Sequence, residues 1–220
     1  MPRTGGEKTR EQIIRAAAQV FYNVNYHEAG LRDIARLSGI SPRAIYKYFD
    51  SKEQLLVAMN NEGLKLMLSE MEPQLAGISG TLGRLGKMTY FYLDYFKCHP
   101  RIAWQVFIST NLVMWRKSEE AWSNLQILEK IFTGILAEGQ RRGEVRPDID
   151  MNAVNLLYFG GIRHAIQSWL AAEQSWDLTA VAEGMTAAMY ESVRERPAAE
   201  IPAACPLAQN QKRKDQNAGA

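Results

Sequence analysis

Cysteine is nearly absent: Cys98 and Cys205 are the two in 220 residues, and they stand far apart. That excludes a disulfide framework and any metal site built on paired thiolates, and it suits a reducing cytoplasm. Histidine is as scarce, at three residues, and none lies in a nucleophile pattern. No Gly-rich phosphate loop follows a strand-like run, and no pair of carboxylates stands out. The sequence therefore offers no catalytic residue, no metal ligand set and no cofactor motif. No apolar segment follows the opening charges, so no secretory signal is expected. The most apolar stretch, Met151 to Ala172, carries Arg163 and His164 in its interior, which argues against a membrane span. A net charge of only +2 excludes little, but its distribution is uneven. Residues 1–52 hold nine Lys or Arg against five Asp or Glu, and the remainder holds seventeen against nineteen. A basic N-terminal unit on a mildly acidic body suits an electrostatic footprint on DNA.

What is present is helical pattern throughout, with one stretch of special chemistry. Leu31 to Phe49 reads as two short helices joined by a tight turn. Leu31, Ile34 and Ala35 share a helical face. Gly39 after Ser38 accepts the left-handed conformation that closes a helix. Ser41 is a good N-cap for the next helix, and Pro42 suits its first position, where no backbone donor is needed. Ile45 and Phe49 give that second helix a buried side, leaving Arg43, Tyr46 and Lys47 outward with Tyr48 flanking. This is a helix-turn-helix whose basic, aromatic outer face is sized for a major groove.

Arg10 to Leu56 resembles the N-terminal domain of the TetR family of transcriptional regulators. The pieces that carry the resemblance are AAAQVFYNVNY at the end of the first helix, IARLSGIS, the Ile45-Tyr46-x-Tyr48-Phe49 run, and Ser51-Lys52-Glu53-x-Leu55-Leu56. Three positions depart from the family pattern. Asn25 replaces a common Gly. Ala29-Gly30 stands where a Thr or Ser opens the second helix, so one phosphate contact lacks its hydroxyl. Arg43 replaces a small residue and adds a side chain for DNA. The resemblance implies an all-α chain: a three-helix DNA-binding domain over 1–52 and a larger helical ligand-binding and dimerisation domain over 53–197; composition alone makes 198–220 a disordered tail.

Along the chain, Thr9 to Gln12 has capping-box spacing and predicts the start of the first helix, with Ile13, Ile14, Ala17, Ala18 and Phe21 as its buried stripe. His27 falls in the connection that follows, as a surface or turn residue. Asp50 to Glu53 has the same spacing and starts a long helix through about Met71, the link between head and body in this family. Pro73 to Gly80 reads as a loop. Helices are expected over about 81–98, 101–110, 112–142 (bent early), 151–173 and 178–196. Arg141-Arg142-Gly143 is a good stop. The last two helices are apolar on more than one side, so a second copy of the pair is the expected partner, making a homodimer. Burial in the centre of a monomer is the alternative. The Ala-, Pro-, Gln- and Asn-rich tail has no core-forming pattern, and Lys212-Arg213-Lys214 within it is expected to contact nothing, with DNA as the alternative.

The DNA-facing set expected from these patterns is Arg32, Ser41, Pro42, Arg43, Tyr46, Lys47, Tyr48 and Lys52. Arg43 suits a guanine edge. Lys47, Tyr46 and Tyr48 match phosphates in the family pattern, although the two tyrosines equally suit packing between the short helices. Lys52 sits at a helix N-terminus, where free donors hold a phosphate. In the body, Tyr92, Phe96, Trp104, Phe107, Trp115, Trp122 and Phe159 serve either as core or as the lining of an apolar cavity. Arg116, His164 and Gln167 are the candidate polar anchors. Trp115-Arg116-Lys117-Ser118, Leu136-x-Glu138-Gly139 to Gly143-Glu144, and Phe159-Gly160-Gly161 through Trp169 resemble the TetR branch that represses fatty-acid degradation and responds to acyl-CoA. That resemblance implies a repressor of double-stranded operator DNA released by a small hydrophobic effector. A sensor of an aromatic or cationic drug is the alternative within the family, an all-helical enzyme the alternative outside it, and activation remains open.

Overall fold

The computed structural model describes residues 5–24, 26, 28–109 and 112–195; Asn25, His27, Cys205, Lys212-Arg213-Lys214 and the rest of the tail lie outside the described residues. The described chain is helical, and an isolated bridge between Val145 and Arg194 is its one β feature.

The head comprises α1 (Gly5–Asn23), α2 (Leu31–Ser38) and α3 (Pro42–Ile45). Ile13, Ala17, Phe21, Ile34, Ile45 and Phe49 bury together, and Leu55, Leu56 and Met59 of α4 (Lys52–Leu75) close the cluster from below. α1 begins four residues before the expected Thr9. The reason lies in where the expected capping partners go: Thr9 donates back to the Gly5 carbonyl at 3.0 Å, and the Gln12 amide donates across to the Ser38 carbonyl at 2.7 Å. The turn after α2 closes as expected, with Gly39 at φ 68°. At the start of α4 the cap shifts by one residue. Ser51, not Asp50, accepts the Gln54 N–H at 3.1 Å, while the Gln54 side chain accepts the Asp50 N–H at 2.5 Å.

α4 also runs past Pro73, which the sequence reading places in a loop. Proline in the last turn removes one hydrogen bond, but Leu75 is buried in the body and holds that turn in place. The body continues with α5 (Thr81–Cys98), α6 (Pro100–Trp104), a π-turn (Gln105–Ser109), α7 (Leu112–Arg116), α8 (Glu119–Arg141), α9 (Met151–Ala171), a 3-10 turn (Leu178–Val181) and α10 (Ala182–Val193). The helix expected over 101–110 thus widens into a π-turn halfway. The region expected over 112–142 is two helices, divided at Ser118, whose hydroxyl accepts the Ala121 N–H and caps α8. α5 is central, packing against α4, α8, α9 and α10. Leu85, Met88, Leu93, Leu128, Phe132 and Ile166 form the innermost layer.

α8 ends at the expected Arg-Arg-Gly stop, with Gly143 at φ 71° and Glu138 holding both Arg141 and Arg142. One turn earlier, Gly139 permits a close approach: a Cβ there would fall inside the Thr81 hydroxyl and 2.6 Å from a Val145 methyl.

Candidate DNA-reading face and effector cavity

α3 is only four residues of α-helix, and its continuation tightens. The Tyr46 N–H still reaches the Pro42 carbonyl, but Lys47 and Tyr48 bond three residues back, to Ala44 and Ile45. Ser41 caps the helix by accepting the Ala44 N–H at 3.3 Å. With Ile45 and Phe49 locked into the head core, Ser41, Pro42, Arg43, Tyr46 and Lys47 face outward, and Arg32 of α2 is exposed with them. Tyr46 is 53% exposed, whereas Tyr48 packs partly against the head core. Lys52 is half-buried. Its ammonium lies 4.3 Å from the centre of the Tyr26 ring, and burial lowers its pKa. The Tyr26 hydroxyl in turn donates to Glu53 at 2.9 Å. Gly30 opens α2 with no side-chain cap, so the hydroxyl missing from the family pattern is missing from the helix start as well.

The body contains a narrow apolar cavity of about 60 Å³ between α4, α5, the π-turn, α7, α8 and α9. Tyr92, Phe96, Phe107 and Trp115 line it together with Asn60, Leu64, Met67 and Arg163. A second cavity, about 200 Å³, shares Tyr92, Phe107, Leu125 and Arg163 with the first and continues along α9 past Phe159 and Asn155. Five of the sequence-selected aromatics are thereby brought together. The other five selected residues stand outside both linings. Trp104 is 47% exposed, and Trp122 packs partly on the core beneath the Arg116 guanidinium, 5.9 Å from its ring centre. Exposed His164 meets Ser168 at 3.4 Å, and the Gln167 amide donates to the Phe107 carbonyl at 3.0 Å.

The cation that does reach the cavities is Arg163, whose guanidinium lies 5.5 Å from the Phe107 ring centre. It also opposes the rise that burial imposes on the Tyr92 phenol pKa. Among the described residues no three His, Cys, Asp or Glu gather where a metal could sit, and no helix is long and apolar enough to cross a membrane.

Residues 13–59 match the sequence pattern of the bacterial regulatory proteins of the tetR family, and residues 106–191 match the C-terminal region of YsiA-like proteins. The chain belongs to the TetR family. Its relatives are transcriptional regulators rather than enzymes. The fatty acid metabolism regulator protein of Bacillus subtilis is 25% identical over 195 residues, spanning 84% of this chain and 95% of that one. The transcriptional repressor NicS of Pseudomonas putida is 28% identical over 201 residues, spanning 82% and 88%. Among solved structures, the Bacillus subtilis regulator FadR in complex with stearoyl-CoA superposes with a TM-score of 0.71 at 24% identity, covering 82% of this chain and 97% of that one. The Bacillus halodurans fatty acid degradation regulator FadR gives 0.68 at 21% identity, with the same coverage.

Within this TetR fold, sequence reasoning missed Asn60, Leu64, Met67 and Arg163 as cavity residues. Arg163 had a usable signal: it shares a helical face with Phe159, Ile162 and Ile166, whereas His164 is turned one step away. Asn60 had another, a polar residue at a buried position between Met59 and Leu64.

Proposed function

We propose that this TetR-family chain is a repressor released from an inverted-repeat operator by a hydrophobic effector of the acyl-CoA or fatty-acid type. The observation that carries the reading is the apolar cavity with Arg163 at its wall, built directly against α4, the helix that also floors the DNA-binding head. A guanidinium beside apolar walls favours an amphipathic anion and opposes a cationic drug. The similarity to a regulator crystallised with stearoyl-CoA supports the same ligand class. At about 60 and about 200 Å³, the two adjoining cavities each fall below the roughly 300–1,000 Å³ of a preformed small-molecule pocket. On this reading an acyl chain widens them as it enters, and that movement is available to reset the head.

Two contacts would transmit it. The buried Gln105 amide, in the π-turn beside cavity residues Val106 and Phe107, donates to the Phe21 carbonyl of α1 at 2.8 Å. Glu120 of α8 pairs with Arg10 of α1 at 3.8 Å and also with Lys65 of α4.

On the DNA side, the proposed contacts are Arg43 to a base edge and Arg32, Ser41, Pro42, Tyr46, Lys47, Tyr48 and Lys52 to the backbone or its approach. Two heads are needed for an inverted repeat. The proposed dimer face runs along α9 and α10. Leu156 and Leu157 are 73% and 67% exposed, Gly160 has open space above it, and Gly184, Ala187 and Ala188 are exposed along α10.

The test is fluorescence anisotropy on labelled upstream intergenic DNA, with calorimetry alongside. Nanomolar binding that hexadecanoyl-CoA reverses is the expected result. Reversal by a cationic aromatic drug but not by acyl ligands would replace the effector class, and absence of any DNA binding would remove the reading.

A further inference from the structure

Asn60 lines the narrow cavity at 2% exposure, and neither its Oδ1 nor its Nδ2 finds a hydrogen-bond partner among the described residues. A buried amide left in that condition carries one of the larger single penalties a fold can hold. The adjacent residue shows the contrast. Asn61 is equally buried at 1%, and its Oδ1 accepts from the Asn124 amide at 2.9 Å. Among the wall's other polar groups, the Tyr95 hydroxyl donates to the Gly63 carbonyl at 3.3 Å, and the Arg163 guanidinium lies over the Phe107 ring. Asparagine is also a weak helix former in mid-helix, where leucine would serve an apolar wall better.

We infer that Asn60 is a specificity-determining residue, and that the buried part of the effector carries a group that both donates and accepts hydrogen bonds: a hydroxyl or a secondary amide. The reasoning is one of complementarity. A primary amide offers two donors and an acceptor. Plain hydrocarbon answers neither atom, and a thioester carbonyl answers only Nδ2. A hydroxyl or a secondary amide answers both. A hydroxylated acyl chain presents the first and the pantetheine arm of an acyl-CoA presents the second. The inference rests on the acyl-effector reading above.

Calorimetry of the full chain with hexadecanoate, a series of monohydroxylated hexadecanoates and hexadecanoyl-CoA tests it, each against wild type and Asn60→Leu. In wild type, a hydroxylated isomer or the CoA ester should bind at least about tenfold more tightly than hexadecanoate, a difference of about 1.4 kcal/mol. Asn60→Leu should abolish about tenfold of that ligand's affinity, leave hexadecanoate unchanged or tighter, and melt no lower than wild type. Loss confined to a hydroxylated isomer assigns the chain hydroxyl, and loss confined to the CoA ester assigns the pantetheine amide. Asn60→Ala, which removes the amide without adding bulk, repeats the comparison should leucine overfill the site. Equal effects on every ligand, or on none, overturn the role of Asn60. Failure of every acyl ligand to bind wild type overturns the acyl-effector reading itself, and this inference with it.

Discussion

Gln105→Met removes one hydrogen bond between body and head while keeping side-chain length. Gln105 is 3% exposed, and its amide donates to the Phe21 carbonyl at 2.8 Å. The next two residues, Val106 and Phe107, line the cavity, so one π-turn touches both the effector space and the end of α1. Losing that bond costs a net of about 0.5–1.5 kcal/mol. For a chain of this size each kcal/mol lowers Tm by roughly 2–4 °C, so a fall of about 1–6 °C is expected. The effect on coupling is separable from this. Allosteric coupling energies run about 1–3 kcal/mol, and a hydrogen bond contributes a net of about 0.5–1.5 kcal/mol. If this bond is made in the operator-binding state and broken in the released one, its loss should shrink the effector-induced drop in operator affinity by roughly 2- to 12-fold. Anisotropy with labelled operator at fixed salt, with and without hexadecanoyl-CoA, reads that ratio directly. A folded Gln105→Met protein whose ratio equals wild type would refute the π-turn as the transmission route.

Three further outcomes are expected. Arg43→Ala should cost roughly 1–3 kcal/mol of operator binding and relax preference at one base pair; a binding-site selection that returns the wild-type motif would remove Arg43 from the reading face. Leu157→Arg puts a charge on the apolar stripe of α9, where Leu157 is 67% exposed in the single chain. On the proposed dimer face, sedimentation should give dimers for wild type and monomers for this variant, with melting of the monomer itself unchanged. Gly139→Ala gains about 1 kcal/mol of helix propensity but drives a methyl into Thr81 and Val145, and overpacking of this kind costs about 1–3 kcal/mol. Thr81 cannot yield easily because its N–H is held by the Glu144 carboxylate at 2.6 Å, so the clash should win and Tm should fall.

Much of the head was legible because its signals are local. Ser41, Pro42 and Gly39 each declare a backbone conformation through their own chemistry, and Ile45 and Phe49 announce a face by spacing alone. The misread helix starts show the limit of that method. Thr9 and Gln12 have capping-box spacing, yet Gln12 reaches Ser38 across 26 residues, a partner no local pattern contains. The body was legible as helices but not as a cavity. Aromatic content pointed to Tyr92, Phe96, Phe107, Trp115 and Phe159, while Trp104 and Trp122 carry the same chemistry and face elsewhere. Which aromatic turns inward depends on the break at Ser118 and on the π-turn, and a one-residue change of helical phase there redirects every side chain beyond it. The same phase argument separates Arg163 from His164.

The division of α4 between two cores explains why the cavity belongs beside it. Leu55, Leu56, Ala58 and Met59 pack in the head, whereas Leu64, Met67, Leu68 and Met71 pack in the body. Asn60, Gly63 and Leu64 meet the cavity within about a turn and a half of Met59. A helix is stiff over that distance, so displacement at Asn60 cannot be absorbed before it reaches the floor of the head. An effector shifts a conformational equilibrium only by its difference in affinity between the two states. A preformed roomy pocket could bind in both states and change nothing. An acyl chain that enters adjoining cavities of only about 60 and 200 Å³ is expected to widen them, and α4 lines the narrower one, so the expected difference between ligand-bound and empty forms falls on the helix that both cores share. On the proposed function, the tightness of the empty cavity is itself the source of the response.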